Sequence, residues 1–423
     1  MSSRLAGADD SAALPGAGLD HATLATLARE WLLGGHLIDR AGMPHVIGRF
    51  QRDGMAEIAI DEWMGASPIY TRRMQELLGF GRDDVACIFQ GMQLDIGAPP
   101  EFLDFRYSVT GPDAGTFELA YCGALADVEP MGDDYVVAMC HHIEDPTFDA
   151  TAVATNPRAQ VRPVHRPPRV PADRHPHCAW TVRIEHDAEP VTLPAEVTVP
   201  MEATLAARTP LAPLVGPHGD GWGSYPELDP DLRTEDFSSG ALRAILAEVA
   251  LQGHLLSLSA GKAVERRADL GTAREILAHQ LCGVAGVVAG RLAVALGVTP
   301  DLGGLATVLE HHPALAPAPY VARTVERDGD DLRLAIGPCD AAAEEGPGGW
   351  ISALVGGRAD DAVSAMARAV VPDAVAAPVA PLGGELAAWA ITGGGDPAPE
   401  HPDVALARFS AGADFRFRRV GPR

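Results

Sequence analysis

The chain has 423 residues, 47% of them hydrophobic, and a formal net charge of −24 at pH 7. Its length indicates two or three domains with enough apolar material for buried cores. Because nucleic-acid binding depends on clustered Lys and Arg, the acidic balance argues against DNA or RNA as a partner.

The N-terminal segment 1–19 holds small and acidic residues, and we predict that it is disordered. It has no apolar stretch of the kind found in a secretory signal. No segment reaches the roughly 18 uninterrupted apolar residues of a membrane span, since the run 284–298 is broken by glycines and Arg291. With only six cysteines and no export signal, we expect a cytoplasmic protein with reduced thiols and no membrane partner. The preference for Arg over Lys, with abundant Ala, Gly and Pro, is typical of a high-GC bacterium.

The chain begins with apolar residues at the spacing of a helix. A helix is predicted from about Thr23, with an apolar stripe through Leu24 and Leu27. Ser67 followed by Pro68 resembles the start of another helix, which Gly79 would end.

Alternating apolar residues then predict strands over 116–125, 134–140 and 178–185. Pro and Gly recur over 191–238, which we interpret as a linker. It separates a first α+β unit, 20–190, from a second one, 239–423.

The two units resemble each other in sequence. Shifting the chain by 218 places segment 30–79 on 248–297 without a gap. Identical residues then coincide at 13 of 50 positions, including Glu30 with Glu248, His36 with His254 and Arg73 with Arg291. Further on, Phe117–Cys122 faces Leu332–Gly337, and Trp180 faces Trp389.

We therefore predict an α+β fold made of two tandem copies of one unit, each with N-terminal helices followed by a small antiparallel sheet. A pseudo-twofold axis would relate them as an intramolecular pseudo-dimer, which could pair further as a homodimer. Residues kept in both copies, His36, Glu30 and Arg73, are interpreted as framework residues that serve packing.

The densest group of reactive side chains is Cys140-His141-His142-Ile143-Glu144-Asp145. On a strand, Cys140 and His142 would share a face while His141 points away. Cys140 as thiolate, His142 as its proton acceptor and Glu144 are the candidate catalytic residues.

The same residue types are those that bind zinc or iron. Cys122, Cys178 and His177 are the further candidates, so that the candidate metal ligands are Cys140, His142, Cys178, Cys122 and His177. The alternative is a set of small buried thiols and loop histidines, since Cys is often buried.

A proline-rich loop, 157–174, is the basic stretch of this acidic protein. Arg166, Arg169 and His165 are its candidate substrate-binding residues, because Arg can bind a carboxylate or phosphate by two hydrogen bonds. The alternative is a solvated loop whose arginines pair with acidic neighbours. The sequence has no phosphate-binding loop, GxSxG elbow, HExxH helix or dinucleotide fingerprint, so no nucleotide cofactor is expected.

The order of helices, Phe117–Cys122, Met139-Cys140 and then His177-Cys178-Ala179-Trp180 resembles that of the L-2-amino-thiazoline-4-carboxylate hydrolase-like proteins and, more distantly, of the 4-vinyl reductase (V4R) small-molecule-binding domains. The resemblance covers roughly residues 20–186. It implies helices followed by strands and, as in some V4R domains, a zinc ion bound by Cys140, Cys178 and Glu144. The pair His141-His142 and the Arg/Pro loop are not part of the family pattern, so the substrate does not carry over.

Two hypotheses follow. In the first, the protein is an enzyme, a hydrolase or lyase, that cleaves a small anionic sulfur- or nitrogen-containing metabolite with the help of a metal ion or of Cys140. In the second, it is a non-catalytic small-molecule-binding module with a structural metal or thiol cluster.

Overall fold

A computed structural model describes residues 14–215, 219–396 and 398–418. Most of the N-terminal segment predicted to be disordered, 1–13, lies outside the described residues, whereas Leu14 is buried against the core. The helices are α1 His21–Leu78, α2 Val85–Met92, α3 Gly123–Val128, α4 Asp133–Val137, α5 Glu144–Val153, α6 Ala195–Glu202, α7 Leu205–Arg208, α8 Ser239–Arg267, α9 Leu270–Ala295, α10 Leu302–Glu310, α11 Asp340–Ala343, α12 Trp350–Val355, α13 Asp360–Val370 and α14 Pro402–Ala407.

Helix α1 consists of two arms that meet at Gln51, whose backbone adopts φ +61°. The side chain of Asp20 caps the start of the helix by accepting a hydrogen bond from the Thr23 N–H. Asp20 lies three residues before the predicted start at Thr23. The prediction of a new helix start at Ser67-Pro68 is wrong, because the second arm runs through both residues. Gly79 ends the helix at φ +68°, as predicted, since glycine tolerates this left-handed conformation.

The protein is α+β, with two four-stranded antiparallel sheets. The first has the order β1-β2-β4-β3 and the second the order β5-β6-β8-β7. The strands are β1 Leu103–Gly111, β2 Ala114–Cys122, β3 Ala159–His165, β4 Cys178–Ile184, β5 Arg323–Asp328, β6 Asp331–Ile336, β7 Val375–Val379 and β8 Ala387–Thr392.

A tryptophan lies at the same point of each sheet. Trp180 is paired with Phe117 on one side and Pro163 on the other. Trp389 is paired with Leu334 and with Pro378. The sequence superposition that placed Phe117 on Leu332 is therefore wrong by two residues, because alternate positions of apolar strands look alike.

The predicted strand over 134–140 is also wrong. Residues Asp133–Val137 form α4, and Ala138–Ile143 form one turn of π-helix that leads into α5. Val136, Ala138, Met139 and Cys140 are the buried residues, and the three- and four-residue spacing from Val136 to Met139 and Cys140 is that of a helix face. Over so short a segment, this spacing overlaps with the alternation of a strand.

Helices α1, α8 and α9 pack together in the centre of the molecule. One hydrophobic core contains residues of both halves, such as Leu27, Trp31, Leu251 and Leu281. The segment 191–238, predicted as a linker, includes α6 and α7 and buries Tyr225 completely.

Two helices, α8 and α9, are long and apolar enough to cross a membrane by length and composition. In each, most of the apolar stretch, 94% and 72% respectively, is buried inside the protein. Core helices of soluble proteins have the same character, so this is weak evidence for a membrane span.

Candidate functional site

A cavity of about 560 Å3 lies next to α1, and most of its lining residues belong to the first half. Its wall is mostly apolar, and three separate parts of the chain close it: both arms of α1, the region of β1 and the π-helix, and α14. Its larger apolar residues are Met43, Ile47, Met55, Trp63, Phe105, Met139, Phe148, Leu406 and Phe409. This size and lining are typical of sites for small organic molecules.

Charged and polar side chains of α1 form one end of this cavity. His36, Asp39 and Arg40 belong to its wall. Both ring nitrogens of His36, Oδ1 of Asp39 and both carboxyl oxygens of the fully buried Glu62 have no hydrogen-bond partner within the described protein. Buried polar atoms are normally satisfied, so this group of unpartnered atoms indicates a place where a ligand supplies the missing contacts.

Burial sets the protonation of these groups. It raises the pKa of Asp39, although Arg40 opposes the shift. It also raises the pKa of Glu62 well above its usual range, and the nearby Asp39 adds to the effect. Burial and then Arg40 lower the pKa of His36. Burial thus favours the uncharged forms of the Glu62 carboxyl group and the His36 imidazole.

A smaller cavity, of about 60 Å3, adjoins the first and shares Phe105, Met139, Glu144 and Phe148 with it. The thiols of Cys122, Cys140 and Cys178 lie around it, together with Glu144, Arg166 and His177. We name this group the thiol cluster. The structure thus brings together cysteines from three distant segments of the sequence.

Each member of the thiol cluster is positioned by its element. Cys122 ends β2 and accepts the Leu125 N–H at the start of α3, while Cys178 begins β4 and pairs with Leu119. Cys140 and Glu144 are four residues apart on the π-helix and α5, so they share a face.

The same helical geometry turns His142 away, and its side chain is exposed. The expectation that Cys140 and His142 share a strand face is therefore wrong. His141 contacts the Pro167 carbonyl oxygen at 2.6 Å. His177 is buried beside the thiols, where its Nδ1 accepts the Cys122 N–H at 3.2 Å.

The thiols are poorly suited to nucleophilic attack. Burial raises the pKa of Cys178 to about 12, and it raises the pKa values of Cys122 and Cys140 further. Burial also raises the pKa of Glu144 to about 7. Nucleophilic cysteines instead have lowered pKa values and an adjacent base.

The arginines of the proline-rich loop are paired with acidic neighbours. Arg169 makes two hydrogen bonds of 2.9 Å to Glu129, and Arg166 pairs with Asp145 while it lies over the Trp180 ring. His165 contacts the Pro176 carbonyl oxygen. The alternative of a loop stabilised by ion pairs thus describes these arginines, although Arg166 also borders the thiol cluster.

The chemistry of the thiol cluster suits zinc, but its spacing fits less well. Among the described residues, the sets of three ligands whose atoms all lie within 4.8 Å of one another are elsewhere. They are His45, His279 and Asp403, and Cys282, His401 and Asp403. The thiol cluster is thus more open than a preformed metal site.

The polar end of the large cavity is specific to the first half. At the offset of 218, Asp39, Arg40 and Glu62 correspond to Ser257, Leu258 and Gln280. All three charges are thus replaced by neutral side chains.

In the second half, Gln280 and His254, which align with Glu62 and His36, have hydrogen-bond partners. The Trp350 indole N–H donates a hydrogen bond to Gln280 Oε1 at 3.1 Å. The His254 ring contacts the Ala316 carbonyl oxygen and packs against the Trp350 ring. Both aligned histidines are buried and pack against aromatic rings, but His254 has a hydrogen-bond partner and His36 has none among the described residues. The signal that could have identified the cavity is the set of charges that one copy has and the other lacks.

No protein-family model matches the chain, and comparisons with curated proteins and with solved structures give no match. The case for function therefore depends on the geometry of the cavities and on the contrast between the two halves.

Proposed function

We propose that the protein binds a small, largely apolar molecule with a basic nitrogen in the large cavity of its first half. The unpartnered Oδ1 of Asp39 in the wall of an apolar cavity, with the unpartnered carboxyl group of buried Glu62 near Asp39, carries this proposal. An apolar body would bury against the wall, while the nitrogen would donate hydrogen bonds to the carboxyl oxygens.

The charge balance favours a basic group over an acidic one. The wall has three carboxyl groups, those of Asp39, Asp95 and Glu144, and one guanidinium, that of Arg40. Arg40 already lies 3.6 Å from Asp39 and 3.4 Å from Asp127. The anionic ligand expected from the sequence would therefore meet carboxyl groups instead of a free cation.

A matched series of ligands tests this proposal. Decylamine, decanol and decanoate have the same chain and differ in the head group. Because hydrogen bonds to charged groups contribute about 1.5–3 kcal/mol, decylamine should bind roughly 10- to 100-fold more tightly than decanol, and decanoate more weakly.

The variant Ala59→Phe, which places a ring in the cavity wall, should abolish binding of all three while the circular dichroism spectrum stays that of the folded protein. Equal affinities for the three compounds, or binding that Ala59→Phe leaves unchanged, would contradict the proposal.

A second candidate function is hydrolysis, as in the enzyme hypothesis. The observation that favours it is Glu144, a carboxyl group that borders both cavities and whose pKa burial raises to about 7. In this role, Glu144 takes a proton from water as the water oxygen bonds to an electrophilic carbon, and returns the proton to the leaving group. If Glu144→Gln lowers turnover of a hydrolysable cavity ligand at least tenfold without weakening its binding, this role is supported; unchanged turnover would exclude it.

We further infer that the two halves are copies related by a pseudo-twofold axis. Two buried ion pairs support this inference: Arg73 pairs with Glu248 at 2.7 Å, and its counterpart Arg291 pairs with Glu30, the counterpart of Glu248, also at 2.7 Å. Contacts that are exchanged in this way are typical of a twofold interface.

The strand order and the two tryptophans support the same inference. With the corrected strand superposition, Cys122 corresponds to Cys339, and each residue directly precedes a short helix. Cys339 is thus the equivalent of Cys122. Cytoplasmic location and the lack of nucleic-acid partners stay predictions of the sequence.

A further inference from the structure

A second group of potential metal ligands lies where α1, α9 and α14 meet. His45 comes from α1, His279 and Cys282 lie one turn apart on α9, and His401 and Asp403 belong to the start of α14. None of them belongs to either cavity wall described above.

The distances in this group are those of ligands around an ion. Asp403 Oδ1 lies 3.3 Å from His45 Nε2, and Asp403 Oδ2 lies 2.9 Å from His279 Nδ1. Donor atoms bound at about 2.0–2.1 Å to a tetrahedral zinc ion are about 3.3 Å apart. Cys282 Sγ is 3.2 Å from His401 Nδ1, so a thiol lies beside the same carboxylate.

Two further observations point to a missing partner. His45 Nε2 is shielded from solvent, yet its approach to Asp403 does not form a hydrogen bond of normal geometry. The His45 and His279 rings are stacked with centroids 4.5 Å apart, and both imidazoles lie beside the Asp403 carboxylate. At the offset of 218, His45 corresponds to Ala263 and His279 to Asp61, so this group occurs once in the chain's two halves.

We propose that His45, His279 and Asp403 bind a divalent transition-metal ion of the zinc class. Imidazole nitrogen and carboxylate oxygen are donors that zinc binds, and three protein ligands leave a fourth position for water. The side chains of His45 and His279 are 19% and 42% exposed, so an ion can reach the site from solvent.

The ion would tie α14 to the two long helices. Because α14 contributes Ala405 and Leu406 to the wall of the large cavity, the ion would hold that wall closed. The site is distinct from the thiol cluster, and it does not depend on the ligand proposed for the large cavity.

Zinc stoichiometry tests the proposal. The protein, stripped of metal with a chelator, is loaded with zinc, desalted and analysed for metal content. His45→Gln and His279→Gln should each bind one equivalent less than the unmodified protein. His186→Gln is the matched control, since exposed His186 also faces a carboxylate, Asp113 at 3.1 Å, without further ligands; its zinc content should not change. Cys122→Ser, in the thiol cluster, should keep this equivalent.

Amide hydrogen exchange of residues 402–409 provides a measurement that does not depend on variants. Zinc should slow exchange there in the unmodified protein. Unchanged zinc content in folded His45→Gln and His279→Gln, or exchange in 402–409 that zinc does not affect, would overturn the proposal.

Discussion

Replacing Glu62 by Met should stabilise the protein and weaken ligand binding. Glu62 is fully buried, and neither of its carboxyl oxygens has a partner within the described protein. A buried polar group without a partner costs about 1–3 kcal/mol, and Met is of similar length without this cost. The free energy of unfolding should therefore rise by about 1–3 kcal/mol.

The gain should depend on pH in a defined direction. Burial raises the pKa of Glu62 in the folded protein well above 4.5. The folded state therefore keeps a proton that the unfolded state releases, so the unmodified protein loses stability as pH rises above about 4.5. The difference between the variant and the unmodified protein should be smaller at roughly pH 5 than at roughly pH 8.

Urea unfolding at both pH values measures this difference, and decylamine titration measures binding. Higher stability with weaker binding is what a strained functional site predicts. A variant that is less stable than the unmodified protein, or a stability difference that is the same at both pH values, would refute the assignment of Glu62 as an unpartnered buried acid.

The remaining predictions concern the framework and the thiols. Arg73→Leu should lower the free energy of unfolding by about 3–5 kcal/mol because it leaves Glu248 buried and unpaired. The double variant Arg73→Leu, Glu248→Leu should recover most of this loss. Denaturant unfolding that gives additive losses for the two substitutions would contradict the pairing. Half-buried Cys339 should react with a thiol reagent before Cys140, which is buried and has a raised pKa; mass spectrometry that finds Cys140 modified first would contradict the protonated state of the cluster. Burial lowers the pKa of His254 from 6.5 to about 4, so the folded state resists protonation and stability should fall by up to about 3 kcal/mol as pH decreases through this range. Thermal unfolding at a series of pH values should show a shallower loss of stability for His254→Leu. An unchanged slope would contradict the lowered pKa of His254.

The sequence predicted the parts of the fold that depend on local pattern. The α+β class and the strand that begins at Cys178 followed from spacing, and Gly79 ends the first helix as expected. The segment 134–140 could not be assigned, since a single turn of π-helix leaves no distinct pattern in so few residues. This error also placed His142 next to Cys140, although the helix turns it into solvent.

The residues of the thiol cluster were predicted from the dense Cys/His/carboxylate segment at Cys140 and from Cys178, which aligns with Ala387 in the second half. The large cavity was missed because identity between the copies was taken as a sign of packing, which removed His36 from the candidates. The neighbouring charges of Asp39, Arg40 and Glu62 have neutral counterparts in the second copy, and the same comparison could have identified them. The distance between His45 and Asp403 depends on how α14 folds back onto α1, which no local pattern determines.

The most direct measurement of the central claim gives the first half the neutral residues of the second. The triple variant Asp39→Ser, Arg40→Leu, Glu62→Gln keeps the apolar wall of the cavity and removes the ionisable groups of Asp39 and Arg40 in that wall and of Glu62 near them. Calorimetric titration should show that its affinity for decylamine falls to that of decanol, while decanol binds as it does to the unmodified protein. Retention of the preference for decylamine would show that the charged end of the cavity is not what recognises the ligand.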